Sequence, residues 1–118
     1  MLQADTFAPF EKIVEMRGVK GVFEIGNDGF LLRALQSGTG DPDSIAASTA
    51  VAIRSWKQIG SYMRLGTLDW IMLEYEQGTI IIKSLKSTII VIIGSQHMVS
   101  GEVLLTLQSS NPINDKKN

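Results

Sequence analysis

Between Thr67 and Gly94 the chain reads "TLDWIMLEYEQGTIIIKSLKSTIIVIIG". Three apolar runs, Thr67 to Tyr75, Thr79 to Leu85 and Thr88 to Ile93, are joined by "EQG" and by the Lys86-Ser87 corner. Connections that short cannot carry the chain back to start a parallel neighbour, so the runs must form an antiparallel meander. Each run is apolar at both alternating positions. Trp70 and Met72 oppose Ile71, Leu73 and Tyr75; Ile80 and Ile82 oppose Ile81 and Leu85; Ile90 and Ile92 oppose Ile89, Val91 and Ile93. A sheet wet on one side would alternate apolar with polar, so this one is covered on both faces. The rest of the chain has to supply two layers of helix.

The candidates are three. A first helix is expected from about Phe7 to Arg17, with Pro9 in its first turn, Phe10, Ile13, Val14 and Arg17 on one side, and Gly18 at its end. A last helix is expected from about Gln96 to Gln108, with Gly101 costing it about 1 kcal/mol relative to alanine. Between the first helix and the loop "QSGTGDPDS" lie two short apolar runs flanking Asn27-Asp28-Gly29. Those residue types favour left-handed backbone, so the segment predicts a hairpin. The loop ends in helix-starting chemistry, with Asp41 capping and Pro42 in the first position, or Asp43 capping. The long helix it starts should reach about Arg64, closed by Gly66. The order helix, strand, strand, helix, three strands, helix predicts an α+β, three-layer α/β/α sandwich around a five-stranded antiparallel sheet.

The long helix raises a second demand. In "SIAASTAVAIRSW" polar residues are scarce, so no broad wet face exists. Ile45, Thr49, Ala52, Trp56, Ile59 and Met63 fall on one stripe, which we assign to the sheet. Ala46, Ala50, Ile53, Lys57 and Gly60 form another, extended by Ala47, Val51 and Arg54. A chain this short has only two other helices, and the opposite face of the sheet needs both. The second stripe is therefore expected to meet the same helix of a second copy, in the two-fold arrangement commonest among oligomers. "TLDWIMLEY" can lie at a sheet edge with little charge to blunt it, and such edges pair. The expected dimer interface is Ala46, Ala47, Ala50, Val51, Ile53, Trp70 and Met72, with two edges joined into a sheet of about ten strands.

The 118 residues suit one domain, placed at 7–109 with flexible ends at 1–6 and 110–118. The absence of cysteine removes disulfides, thiolate zinc sites and cysteine nucleophiles, and fits a cytoplasmic protein. Eleven basic and twelve acidic residues, with no basic block, predict neither nucleic-acid binding nor attraction to anionic membranes. The start has no secretory-signal pattern, and Lys83 and Lys86 break the longest apolar tract, so no membrane insertion is expected.

Catalytic chemistry has little to build on. His97 is the single histidine, and its expected place is a surface or capping position at the start of the last helix. No serine lies in Gly-x-Ser-x-Gly. "SGTGDPD" lacks the Gly-Lys-Ser/Thr ending of a phosphate loop, and its aspartates stand where a phosphate would bind. "GNDG" supplies too few oxygen ligands for calcium. No metal, cofactor or catalytic residue is expected. A ligand sensor would need a cavity in the core, whereas the Ile, Leu and Val content predicts a filled one.

The element order, "VKGVFEIGNDGFLLRAL", the alanine-rich helix and the meander together resemble the roadblock/dynein-light-chain family, over roughly Phe10 to Gln108. The most telling matches are Lys20-Gly21-Val22, Asp28-Gly29 followed by Phe30-Leu31, and the Gly78 turn into an Ile-rich strand pair. The resemblance implies a profilin-like roadblock fold and a homodimer or heterodimer built through the long helix and third strand, without catalysis. It also implies one of two roles: binding and regulating a small Ras-like GTPase, as in bacterial gliding-motility regulators, or serving as a scaffold or adaptor subunit without a GTPase. The length fits a prokaryotic stand-alone protein of this family. No family motif maps onto partner-contacting residues. Position and chemistry select Arg54, Lys57, Tyr62 and Arg64, cations mixed with an aromatic at the polar end of the long helix, where a solvated helix end is the competing explanation.

Overall fold

The computed structural model of the chain describes residues 10–36, 38 and 40–109. The expected helical start at Phe7, the flexible ends 1–6 and 110–118, and part of the "QSGTGDPDS" loop lie outside the described residues. Eight elements follow in order: α1 (Phe10–Val14), β1 (Val19–Gly26), β2 (Leu31–Gln36), α2 (Pro42–Tyr62), β3 (Trp70–Tyr75), β4 (Gly78–Ser84), β5 (Thr88–Ser95) and α3 (Ser100–Ser109). The strands form one antiparallel sheet in the order β2-β1-β5-β4-β3. The meander therefore ends at an edge, with β3 outermost.

Strands β4 and β5 are covered on both faces as their pattern demands, whereas β3 has no buried residue. On one face Val22, Ile81, Ile90 and Ile92 pack with Phe10 and Ile13 of α1 and with Val103 and Leu107 of α3. On the other Phe23, Ile25, Ile82, Ile89 and Val91 pack with Ala46 and Ile53 of α2. The hairpin turns at Asn27-Asp28-Gly29: Gly29, at φ 92°, donates its N–H to Gly26 O at 2.9 Å, and Asp28 Oδ1 accepts from Phe30 N at 3.1 Å. Asp41 is the cap of α2, accepting from Asp43 N at 3.1 Å and Ser44 Oγ at 2.9 Å, with Pro42 opening the helix.

Both outer helices are shorter than the periodicity predicts. Beyond Val14 the chain tightens, with Met16 N donating to Ile13 O and Val19 N to Met16 O, so Arg17 belongs to a turn. Gly18 then takes φ 81° and accepts from Ser95 N at 2.8 Å; a Cβ there would lie 2.3 Å from Met98 N. At the other end Ser95 binds the N–H groups of both His97 and Met98, closing a turn before α3 begins. His97 is exposed in that turn, ahead of the helix. Gly101 consequently sits in the first helical turn, where backbone N–H groups have no intrahelical partner and its interior cost is reduced.

Candidate interaction surface

Helix α2 buries Ala46, Thr49, Ala50 and Ile53, while no residue from Arg54 to Tyr62 is buried. This corrects the expected orientation. Ala46, Ala50 and Ile53, assigned to a second chain, are packed inside this one, at 1%, 7% and 3% exposure. The hairpin turn explains part of the choice, because a Cβ on Gly29 would lie 3.3 Å from the Ala50 methyl. Small residues here allow a turn to approach the helix.

Of the stripe assigned to the sheet, Thr49 is buried and Ile45 packs against the sheet core, whereas Trp56, Ile59 and Met63 are exposed and the stripe borders two open grooves. Ile45, Ser48 and Ala52 line one of about 370 Å³ together with Tyr75, Ile80 and Ile93. Trp56, Ile59 and Gly60 line another of about 550 Å³ with Leu65, Leu68 and Ile71. The second half of α2 thus stands beside β3 with an apolar channel between them.

The remaining expected interface residues divide. Ala47 and Val51 are exposed on α2, Val51 at 57%. Trp70 is exposed on the edge strand at 39%. Met72 is half-buried, and its side chain packs toward the α1 and α3 cluster, leaving only its backbone at the edge. Of the expected partner contacts, Arg54, Lys57, Tyr62 and Arg64 are all exposed. They do not form one patch: helical spacing puts Arg54 with Ala47 and Val51, Lys57 lines the larger groove, and Arg64 follows the helix with φ 56°.

Missing from the sequence reading was the outer surface's apolar content. Trp56, Ile59, Tyr62, Met63, Leu65, Trp70 and Tyr75 are all large and exposed, and they fall consecutively on α2, the following loop and β3. Clusters of this sort mark interaction sites more often than free surface. The signal was present in the sequence, but Trp56, Ile59 and Met63 were spent on the sheet.

The edges of the sheet also differ. The β1–β2 register shifts between Glu24 and Ile25, which places an extra residue, Leu32, in edge strand β2. Edge strand β3 pairs without interruption from Trp70 to Tyr75. A bulge discourages further pairing and a regular edge invites it.

Charge at the sheet is concentrated in two buried residues. Glu24, 3% exposed, accepts from Arg33 Nε at 2.8 Å and Thr88 Oγ1 at 3.0 Å, and Arg33 stacks 4.0 Å from the Phe10 ring. Lys83, 5% exposed, is paired to Asp69 just before β3. Among the described residues no group of His, Asp or Glu is placed to hold a metal ion, and no helix is long and apolar enough to cross a membrane.

Comparison with known proteins places this geometry. The sequence model of the Roadblock/LC7 domain matches residues 9–94. MglB of Myxococcus xanthus superposes with a TM-score of 0.81 at 16% identity, over 88% of this chain and 86% of that one. The gliding protein MglB of Thermus thermophilus gives 0.79 at 13% identity, over 88% and 81%. The protein MJ0310 of Methanocaldococcus jannaschii is 23% identical over 91 residues, 77% of this chain and 80% of its own length. At these identities the shared property is the fold, a five-stranded antiparallel sheet with three helices.

Proposed function

We propose that this chain, which belongs to the Roadblock/LC7 domain family, is a non-enzymatic homodimeric module that binds and regulates a small Ras-like GTPase. The observation that carries the reading is the apolar groove bordered by Trp56, Ile59 and Leu65, exposed beside a regular sheet edge. A second copy of the chain covers it, with residues 7–109 acting as one unit. The surface left to the GTPase is the outward side of α2, where Arg54 stands with Val51 and Ala47, together with Tyr62 and Arg64 at its end. Support for a GTPase as the partner comes from the resemblance of the sequence to the family's gliding-motility regulators of Ras-like GTPases and from the fold shared with the MglB proteins, one of them named a gliding protein.

The test is a pull-down with the Ras-like GTPases of the source organism, coupled to a GTP-hydrolysis assay. Binding that is lost in Arg54→Glu, with hydrolysis altered by the intact protein, is expected. No binding to any of them and no change in rate would overturn the regulatory reading, and recovery of unrelated proteins would favour a scaffold.

A further inference from the structure

We propose that the ion pair between Lys83 and Asp69 is a latch. It holds the connection between α2 and β3 as a wall of the larger groove, so that a residue outside the groove governs how tightly its occupant binds; on the homodimer reading above, that occupant is a second copy.

The connection is fastened at its two ends and loose between them. Leu65 N donates to Gly60 O at 2.8 Å, which ties the start of the segment to the last turn of α2. Ser84 N donates to Asp69 O at 2.9 Å, which ties its end to β4. Gly66, Thr67 and Leu68 make no hydrogen bond among the described residues, and Leu68 is the one of the three that is half-buried, packed with Ile71 on the α2 side of the sheet. A segment with so few buried contacts opens locally at small cost. Residues 65–69 nevertheless border the groove together with Trp56 and Ile59. Whatever keeps them in place sets the shape of that groove.

Lys83 is placed to do so from the other side of the sheet. It pairs with Ile90 of β5 and shares the face of Ile81 and Ile92, which pack with α1 and α3, whereas the groove lies beside α2. Lys83 lines neither open groove. Its side chain is 6% exposed and that of Asp69 is 68% exposed, and Asp69 is its one carboxylate partner among the described residues. The cation is fixed in a central strand, so the aspartate is the partner that can let go. Lys83 follows Ile80-Ile81-Ile82, where an apolar side chain would stabilise the core as well or better. A buried charge in such a place specifies an arrangement: left without its carboxylate it is heavily penalised, and it therefore draws Asp69 and the backbone attached to it onto the end of β4.

The two fastening amides, those of Leu65 and Ser84, report on the latch directly. Their hydrogen exchange is followed by NMR in the unaltered protein and in Lys83→Met, which removes the cation at similar volume. Protection of both is expected to fall about tenfold, with the amides of β1 and β5 unchanged. Asp69→Asn should have the same local effect and Asp69→Glu should not, and both changes are at an exposed side chain, which keeps the test decisive if Lys83→Met folds poorly. The dissociation constant of the dimer should rise about tenfold in Lys83→Met, although Lys83 lines no groove. Protection that is unchanged at Leu65 and Ser84, or that is lost across the whole sheet, would overturn the latch. A released connection with an unchanged dissociation constant would overturn its control of the groove. A monomeric unaltered protein would defeat the homodimer reading instead, and the exchange of Leu65 and Ser84 would still decide the latch.

Discussion

Arg64 has a φ of 56°, and the residue after it, Leu65, donates its N–H to Gly60 O at 2.8 Å to finish the end of α2. A residue with a Cβ spends about 1–2 kcal/mol in that left-handed conformation, and glycine adopts it freely. Arg64→Gly is expected to raise the unfolding free energy by about 1 kcal/mol in urea titration. Unchanged or lower stability would mean that the guanidinium makes contacts that offset the strain. Glu24 gives the opposite case. Its buried carboxylate relies on Arg33 and Thr88, so Arg33→Met is expected to cost about 2 kcal/mol, moderated because the Arg33 side chain is 35% exposed. Removing both charges with Glu24→Leu and Arg33→Met should cost less than Arg33→Met alone, because no charge is then left buried without a partner. A double variant less stable than that single would contradict this.

At the scale of elements, the orientation of α2 separates two neighbouring residues sharply. Ile53 is packed on Phe23, Ile82 and Val91, so Ile53→Ala is expected to cost about 2–4 kcal/mol. Val51 is 57% exposed, and Val51→Ala should change stability by less than about 0.5 kcal/mol. Equal losses, or the reverse order, would mean the helix is turned the other way. Ala50→Glu is expected to disrupt folding, since Ala50 is 7% exposed and faces the hairpin turn inside the chain. The hairpin and the meander were legible because turn residues and short connections act locally. Asn27-Asp28-Gly29 bends the chain whatever lies elsewhere, and "EQG" leaves the two strands it joins no alternative to antiparallel pairing. The rotation of α2 was not legible, because Ala46, Ala50 and Ile53 are as apolar as Ile45, Ala52 and Ile59. Part of what chooses between the stripes is the close approach of Gly29 to Ala50, a tertiary contact with no local signature. The start of α3 was missed for a similar reason: Ser95 ties down the N–H groups of His97 and Met98, and periodicity cannot see a side chain closing a turn.

For the molecule as a whole, the sheet order matters more than any single contact. Placing β3 outermost exposes a regular edge next to the less covered half of α2, while β2 ends the opposite side with a bulge. The proposed interface lies along the groove bordered by Trp56 and Ile59, with the alanine stripe turned into the chain's own core. Trp56→Glu and Ile59→Glu are expected to weaken association while leaving the circular dichroism of the fold intact, since neither residue is buried in the isolated chain. Loss of folded signal in both would assign that surface to intrachain packing. The most direct measurement is the mass of the unaltered protein by sedimentation equilibrium at micromolar concentration. A dimer, about twice the 12.9 kDa chain, is the result expected from the open edge and grooves. A particle of 12.9 kDa would contradict it.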